Sequence, residues 1–157
     1  MEQATPDYEI LEFAINREIE AYNFFTALAE RVKNPHMRMV FQELAAEELE
    51  HKAKLELEVV KLGRTVPSKQ QAQISLPEKI ISDDQNDLDV NYKDILMLAM
   101  QKEEASFRAY VNLIPNVRDQ QSREILLALA EEEVRHKLRF EVEYEMLLKK
   151  GGAINPD

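Results

Sequence analysis

Six residues that could bind metal ions form two identical triplets in this chain. They are Glu18, Glu48 and His51, followed by Glu103, Glu133 and His136. In each triplet the second glutamate lies 30 residues after the first, the histidine follows it by three, and the triplets are offset by 85 residues. Carboxylate and imidazole groups are common ligands of divalent transition metals. The duplicated triplet therefore predicts a site for two metal ions, with one half supplied by each triplet.

Four segments have apolar residues at the three- and four-residue spacing that predicts amphipathic helices. The predicted helices cover residues 5–32, 35–62, 91–114 and 117–149. Thr5 and Asn34 are the predicted N-caps of the first two helices, and each is followed by a proline at the favoured first helical position. Gly63 and the pair Gly151-Gly152 are predicted to end the second and fourth helices.

The connections between the predicted helices determine the expected topology. Only a few residues join the first helix to the second and the third to the fourth, so each pair should form an antiparallel hairpin. Residues 63–90 connect the hairpins, and a segment of this length is explained by a crossover that returns along the whole bundle. The constant offset of 85 residues relates the hairpins by a pseudo-twofold axis. The prediction is an all-α four-helix bundle, a single domain over residues 1–157, made of two helical hairpins joined by a long crossover.

Composition and charge exclude several classes of function. The chain has no cysteine, which removes disulfides, thiol catalysis, cysteine-bound zinc and iron–sulfur clusters. A formal net charge of −10 disfavours binding to nucleic acid, whose phosphates would be repelled. The sequence has no apolar run of the roughly 20 residues that a membrane span needs. Its first residues carry no export signature, so we expect a cytoplasmic protein.

Each residue of the two triplets lies on the apolar stripe of its predicted helix. The E-x-x-H spacing places a glutamate and a histidine one helical turn apart on the same face. Four carboxylates and two imidazoles in an apolar core are costly unless something pairs with them, and two divalent cations would balance the four carboxylates. The alternative is a bundle whose acids lie at the solvated edge of the stripe and bind no metal.

The chain resembles the rubrerythrin-like members of the ferritin-like superfamily over nearly its whole length. The resemblance rests on E-x-x-A-x-x-x-F at residues 18–25, E-x-x-S-x-x-x-Y at 103–110, and the two E-x-x-H pairs. It implies a ferritin-like bundle that holds two iron ions, with manganese or zinc as other possible metals. The implied ligands are Glu18 and Glu103 at the ends, Glu48 and Glu133 as bridges, and His51 and His136 as one imidazole for each ion.

The chain departs from the family pattern in three ways. Rubrerythrins with a rubredoxin domain carry four further cysteines, and this sequence has none, so the resemblance does not identify the electron donor. Met100 and Ser106 occupy positions where an additional carboxylate is usual. A tyrosine normally follows each terminal glutamate by seven residues; Tyr110 fits and is the one candidate for a supporting catalytic role, but the first half has Phe25.

The leading functional hypothesis is an oxidoreductase that reduces peroxide or dioxygen and protects the cell from oxidative stress. An external electron donor of unknown identity would be its partner, with no nucleic acid and no membrane involved. One alternative is a ferroxidase that stores or delivers iron. Another is a structural or partner-binding bundle that metal only braces. Apolar side chains expected on the outside, such as Phe13, Phe24 and Tyr92, favour a homodimer, the commonest symmetric oligomer.

Overall fold

The computed structural model describes residues 6–64 and 88–154. In these ranges the chain forms four long helices and one short 3-10 turn, with no strand. The long helices are α1 (Pro6–Arg31), α2 (Pro35–Lys61), α3 (Leu88–Leu113) and α4 (Gln120–Ile154), and the 3-10 turn covers Ile114–Asn116. The prediction of an all-α four-helix bundle is confirmed. None of the described helices combines the length and apolar composition that crossing a membrane requires.

The local signals at both ends of α2 act as predicted. The side chain of Asn34 accepts a hydrogen bond from the backbone N–H of Met37 at 3.1 Å, which satisfies one of the free donors at the helix start. Gly63 ends the helix with φ +82°, a backbone conformation that costs glycine little. The other predicted N-cap, Thr5, lies outside the described residues.

The bounds of α4 differ from the prediction of 117–149 at both ends. Val117 has extended backbone, with φ −88° and ψ 132°. The helix begins after Asp119, whose carboxylate accepts hydrogen bonds from the backbone N–H of Ser122 at 2.8 Å and from its hydroxyl at 3.0 Å. At the other end the helix continues through Gly151-Gly152 to Ile154. Glycine costs a helix about 1 kcal/mol relative to alanine but does not remove a hydrogen bond, so it was a weaker stop than predicted.

Contacts between the hairpins establish the directions of the helices. At the start of α1, Asp7 accepts hydrogen bonds from the backbone N–H groups of Arg118 and Asp119 just before α4, at 2.8 and 2.9 Å. At the start of α2, His36 lies 3.1 Å from Glu143, late in α4. Helices α2 and α4 are therefore antiparallel, and α2 and α3 are parallel. These directions are the ones that the predicted crossover assumes. Most of the predicted crossover, residues 63–90, lies outside the described residues, and the single-domain assignment of 1–157 stays a prediction.

The apolar core consists of two clusters, one on each side of the middle of the bundle. The cluster near the α1–α2 turn contains Phe25, Phe41 and Phe140, whose ring centroids are 5.9 to 6.1 Å apart. The cluster at the opposite end contains Tyr110 and Leu126. The residues of the two triplets lie between these clusters, so apolar side chains border the charged layer at both ends.

Candidate metal centre

All four helices contribute ligand candidates at the middle of the bundle. Glu18 comes from α1, the pair Glu48 and His51 from α2, Glu103 from α3, and the pair Glu133 and His136 from α4. The six residues expose between 0 and 5% of their surface. The alternative of acids at a solvated stripe edge is therefore wrong.

The structure brings the six residues into two overlapping groups. The first group is Glu18, Glu48, His51 and Glu133, and the second is Glu48, Glu103, Glu133 and His136. Within each group, one candidate ligand atom from every residue lies within 4.8 Å of the others. Glu48 and Glu133 belong to both groups, whereas every other residue belongs to one. This sharing is the arrangement that two bridging carboxylates between two ions require.

Both histidines turn the Nδ1 atom toward the carboxylates. Nδ1 of His51 lies 3.3 Å from Oε1 of Glu18 and 3.4 Å from Oε1 of Glu48. Nδ1 of His136 lies 3.5 Å from Oε2 of Glu103 and 3.7 Å from Oε2 of Glu48. The two rings are nearly parallel, with centroids 6.4 Å apart and an interplanar angle of 16°. Each histidine thus faces the first glutamate of its own triplet, and both also face Glu48.

Several buried polar atoms at the site lack a hydrogen-bond partner. They are both carboxylate oxygens of Glu48, Oε1 of Glu103 and Nδ1 of His136. Buried groups of this kind are normally paired, because an unpaired charge in an apolar interior is strongly unfavourable. Divalent cations would pair with all of them, and the set of oxygen and imidazole ligands suits iron or manganese while also accepting zinc. The residues present therefore fit the metal ions that the motifs predict.

The electrostatics of the metal-free site follow from burial and mutual repulsion. Burial, together with the nearby charge of Glu18, raises the pKa of Glu48 well above its ordinary value. Burial and the charge of Glu103 do the same to the pKa of Glu133, and burial raises the pKa of Glu103 itself to about 7. Burial also opposes ionisation of Glu18, but the polar side chains next to it, among them His51 and the donating hydroxyl of Tyr110, outweigh burial and lower the pKa of Glu18. Without metal, burial and mutual repulsion therefore favour the protonated form of the two shared carboxyl groups.

Tyr110 distinguishes the two halves of the site. It is fully buried, and its hydroxyl donates a hydrogen bond to Oε2 of Glu18. Burial raises the pKa of Tyr110 well above its ordinary value, so the hydroxyl keeps the proton that it donates. The equivalent residue in the first half is Phe25, which packs against Phe41 and Phe140 and offers no donor to Glu103. Glu18 and Glu103, although equivalent as ligand candidates, are therefore supported differently.

At two positions on α3, Met100 and Ser106, the chain lacks the additional carboxylate that is usual in the family. Ser106 is buried, and its hydroxyl accepts a hydrogen bond from Arg17 at 3.2 Å. Met100 packs against the apolar cluster near the α1–α2 turn. Ser106 thus links α3 to α1, and Met100 contributes to the packing of the core.

Sequence reasoning missed Glu47 as part of the site. Its Oε1 atom lies 2.7 Å from Nε2 of His136, on the side of the ring that faces away from the shared carboxylates. The signal was present, because Glu47 and Glu132 match at the 85-residue offset and each immediately precedes a shared glutamate. Adjacent residues on a helix point in different directions, which is why a search along the buried stripe did not find it.

Comparison with known proteins agrees with this site. A family model for rubrerythrin matches residues 9–144. The chain belongs to the rubrerythrin family. Among solved structures, it is similar to a hypothetical protein from Pyrococcus furiosus, with 27% sequence identity, a TM-score of 0.72 and coverage of 90% of each chain. A search of curated proteins found no match.

Membership of the rubrerythrin family confirms the resemblance inferred from the motifs and the ferritin-like fold class. The coarse expectation of a buried carboxylate and histidine cluster that could bind metal is also confirmed. The roles of Glu18, Glu48, His51, Glu103, Glu133 and His136 as ligands stay predictions, as does the number and identity of the ions.

We expect the stability of the metal-free protein to fall as pH rises from 4.5 through 7. Glu48, Glu103 and Glu133 have raised pKa values, so they bind more protons in the folded than in the unfolded state, and folding weakens as these protons are lost. Each retained proton contributes a slope of up to about 1.4 kcal/mol per pH unit. Glu18, with its lowered pKa, acts in the opposite sense but at lower pH. Urea unfolding of chelator-treated protein at several pH values measures this dependence.

The Glu48→Gln variant should flatten that dependence and be at least as stable as the metal-free wild type at pH 8, since it removes a buried charge. Metal should raise the melting temperature of the wild type, with release of protons, but not that of Glu48→Gln. The exposed Glu50→Gln is the control for loss of one negative charge. A metal-free Glu48→Gln protein that is clearly less stable than wild type would show that this carboxylate supports the fold.

Tyr110→Phe should leave the metal count near two but make the two metal positions more alike. The Tyr110 hydrogen bond withdraws electron density from Glu18, which weakens its hold on an ion, and phenylalanine cannot make that bond. In a stepwise metal titration, the affinities of the two binding steps should be closer to each other than in the wild type. The rate of reoxidation by peroxide should also change. Phe25→Tyr is the matched variant in the other half. Unchanged steps and an unchanged rate would mean that Tyr110 only packs.

Proposed function

We propose that this rubrerythrin-family protein is a di-iron oxidoreductase that reduces peroxide or dioxygen. The observation that carries the proposal is the pair of overlapping ligand groups that share Glu48 and Glu133. Shared carboxylates hold two ions close enough to act together on one substrate, and two ions that each change by one electron match a two-electron reduction. We place this activity in the cytoplasm, where cellular reductants can supply the electrons.

The two ferrous ions would supply the electrons that convert hydrogen peroxide and two protons into two water molecules, and an external donor would return them. The protein residues provide the surroundings for this exchange. Glu18 and Glu103 can each close one end of the site, and Tyr110 keeps Glu18 in place through its hydrogen bond. The apolar clusters on both sides limit access of water along the bundle axis.

The packing around the site favours a small substrate. A groove of about 690 Å³ lies on the outer face of the α1–α2 hairpin, between Tyr22 and Leu49, and none of the six ligand candidates lines it. The ligand candidates themselves are almost completely buried. Peroxide and dioxygen are small enough to reach such a site through minor movements of side chains, whereas a large organic substrate is not.

Two other functions make different predictions. A ferroxidase that stores or delivers iron would share the same ligands. A structural bundle would bind metal without redox activity. Iron stoichiometry separates storage from catalysis, because a catalytic centre saturates at two ions per chain while a store continues to accept iron. Metal removal that abolishes no redox activity would favour the structural function.

The experiment is a metal count and an absorption spectrum of anaerobically purified, iron-loaded protein, before and after one equivalent of peroxide. We expect two iron ions per chain. The ferric absorption should disappear on reduction and return after one equivalent of peroxide is added. Glu133→Gln should lose both metal and activity, while Glu131→Gln, its exposed neighbour, should keep both. Absence of metal together with failure to take up ferrous iron would contradict the proposal.

We also propose that the protein is a homodimer in which a second copy covers an apolar stripe on α4. Of the side chains expected on the outside, Phe13 is exposed, but Phe24 and Tyr92 are buried in the bundle and cannot form this surface. The stripe consists of Leu127, Val134, Leu138 and Val142, which are 38 to 56% exposed. The pseudo-equivalent positions on α2 include Gln42 and Ala53, so this surface is more apolar on the second hairpin than on the first. Two such stripes related by a twofold axis would cover each other over about 22 Å of helix.

Light scattering at micromolar concentration tests this assembly. The wild type should have the mass of a dimer, and Leu138→Glu should be a monomer because it places a charge in the apolar contact. Leu57→Glu on α2 is the matched control, since Leu57 and Leu138 are both 54% exposed. A monomeric wild type, or an equal effect of both substitutions, would contradict the proposed interface.

A further inference from the structure

One charged contact distinguishes the two histidines of the metal centre. Nε2 of His136 lies 2.7 Å from Oε1 of Glu47, and the side chain of Glu47 is 41% exposed. A carboxylate accepts hydrogen bonds, so Nε2 must carry the ring proton. Nδ1 then presents its lone pair to the interior, where it lies between Glu48 and Glu103 without a hydrogen-bond donor. The contact with Glu47 therefore prepares the ring for a metal ion.

The pseudo-equivalent contact would join Glu132 on α4 to His51 on α2. Glu132 is instead held by Arg135, whose guanidinium donates a hydrogen bond to Oε2 at 2.6 Å. The residue equivalent to Arg135 in the first half is Glu50, which offers no positive charge to Glu47. Because the first half has Glu50 where the second half has Arg135, Glu47 contacts His136, whereas Glu132 is bound by Arg135.

The presence of Arg135 also argues against a separate cation site on this face. Glu47, Glu132 and His136 bring ligand atoms within 4.8 Å of one another. However, the guanidinium occupies one oxygen of Glu132, and Nε2 of His136 carries a proton in its contact with Glu47. The group is better suited to orient a ligand than to bind an ion.

From this geometry we propose that Glu47 is a positioning residue that makes the metal position formed by Glu103 and His136 the tighter of the two, so that it fills first. A carboxylate bonded to the outer nitrogen of a metal-binding histidine fixes the tautomer and the ring orientation and raises the basicity of the inner nitrogen. The Tyr110 hydrogen bond to Glu18 also favours this order of filling, because it weakens binding at the metal position formed by Glu18 and His51. The inference rests on the proposed function insofar as the site binds two ions.

Anaerobic titration of the full-length, metal-free protein with cobalt(II), followed by visible absorption and calorimetry, measures both binding steps. The wild type should bind two ions in separate steps. Glu47→Leu removes the acceptor and should weaken the tighter step by about 10- to 100-fold, the usual effect of losing such a partner, with little change in the weaker step. Glu47→Gln keeps a neutral acceptor oxygen and should weaken the tighter step less.

The matched control is Glu43→Gln, which removes one negative charge from the same face of α2, one turn before Glu47. Glu43 is half-exposed and contacts Arg139 at 3.4 Å rather than His136. Its two binding steps should equal those of the wild type. If Glu47→Leu changes the steps no more than Glu43→Gln does, or if the wild type binds two ions in equivalent steps, the inference is wrong while the proposed di-metal function stands. Failure of the wild type to bind any cobalt would contradict both.

A second measurement reads the tautomer directly, without metal. Nitrogen-15 NMR of the metal-free protein should show the proton of His136 on Nε2 in the wild type and in Glu43→Gln. Glu47→Leu removes the acceptor, so the Nδ1–H tautomer should become populated, while the unfolding free energy changes little because the position is half-exposed. The same tautomer populations in Glu47→Leu and the wild type would overturn the assignment of Glu47.

Discussion

The structure depends on one constraint, the burial of four carboxylates and two imidazoles at the centre of an apolar bundle. Charges placed there are tolerable only if cations pair with them or if protons neutralise them. Without metal, burial raises the pKa of Glu48 and of Glu133, which favours neutralisation of these groups by protons. The division of the core into two clusters follows from the same constraint, because the layer between them has to remain polar.

The duplicated hairpin explains how the two halves of the site arise. Each hairpin supplies one glutamate from its first helix and an E-x-x-H pair from its second. The pseudo-twofold arrangement brings the two sets together at the middle of the bundle. Duplication also explains why two carboxylates are shared. The pairs that differ between the halves, Phe25 and Tyr110, and Glu50 and Arg135, do not change the ligand set, but they change the hydrogen bonds that support it. The two metal positions can therefore have the same ligands and different properties.

Most of the fold and the ligand set could be predicted because both leave periodic signals in the sequence. The helices follow from apolar spacing, and the ligand candidates interrupt that spacing at matched positions. The ends of α4 were predicted less well, since the start depends on the capping contacts of Asp119 and the end on glycines that weaken a helix without stopping it. Glu47 could not be found from periodicity, because its role depends on a contact between α2 and α4, which are distant in sequence.

The central claim is that Glu48 and Glu133 hold two ions between the same pair of carboxylates. A crystal structure of the iron-loaded protein, with anomalous scattering measured at the iron edge, tests it most directly. The account predicts two anomalous peaks about 3.5–4 Å apart, with Glu48 and Glu133 contacting both and each histidine bound through Nδ1 to one. A single peak in the bundle, or two peaks with neither glutamate between them, would contradict it.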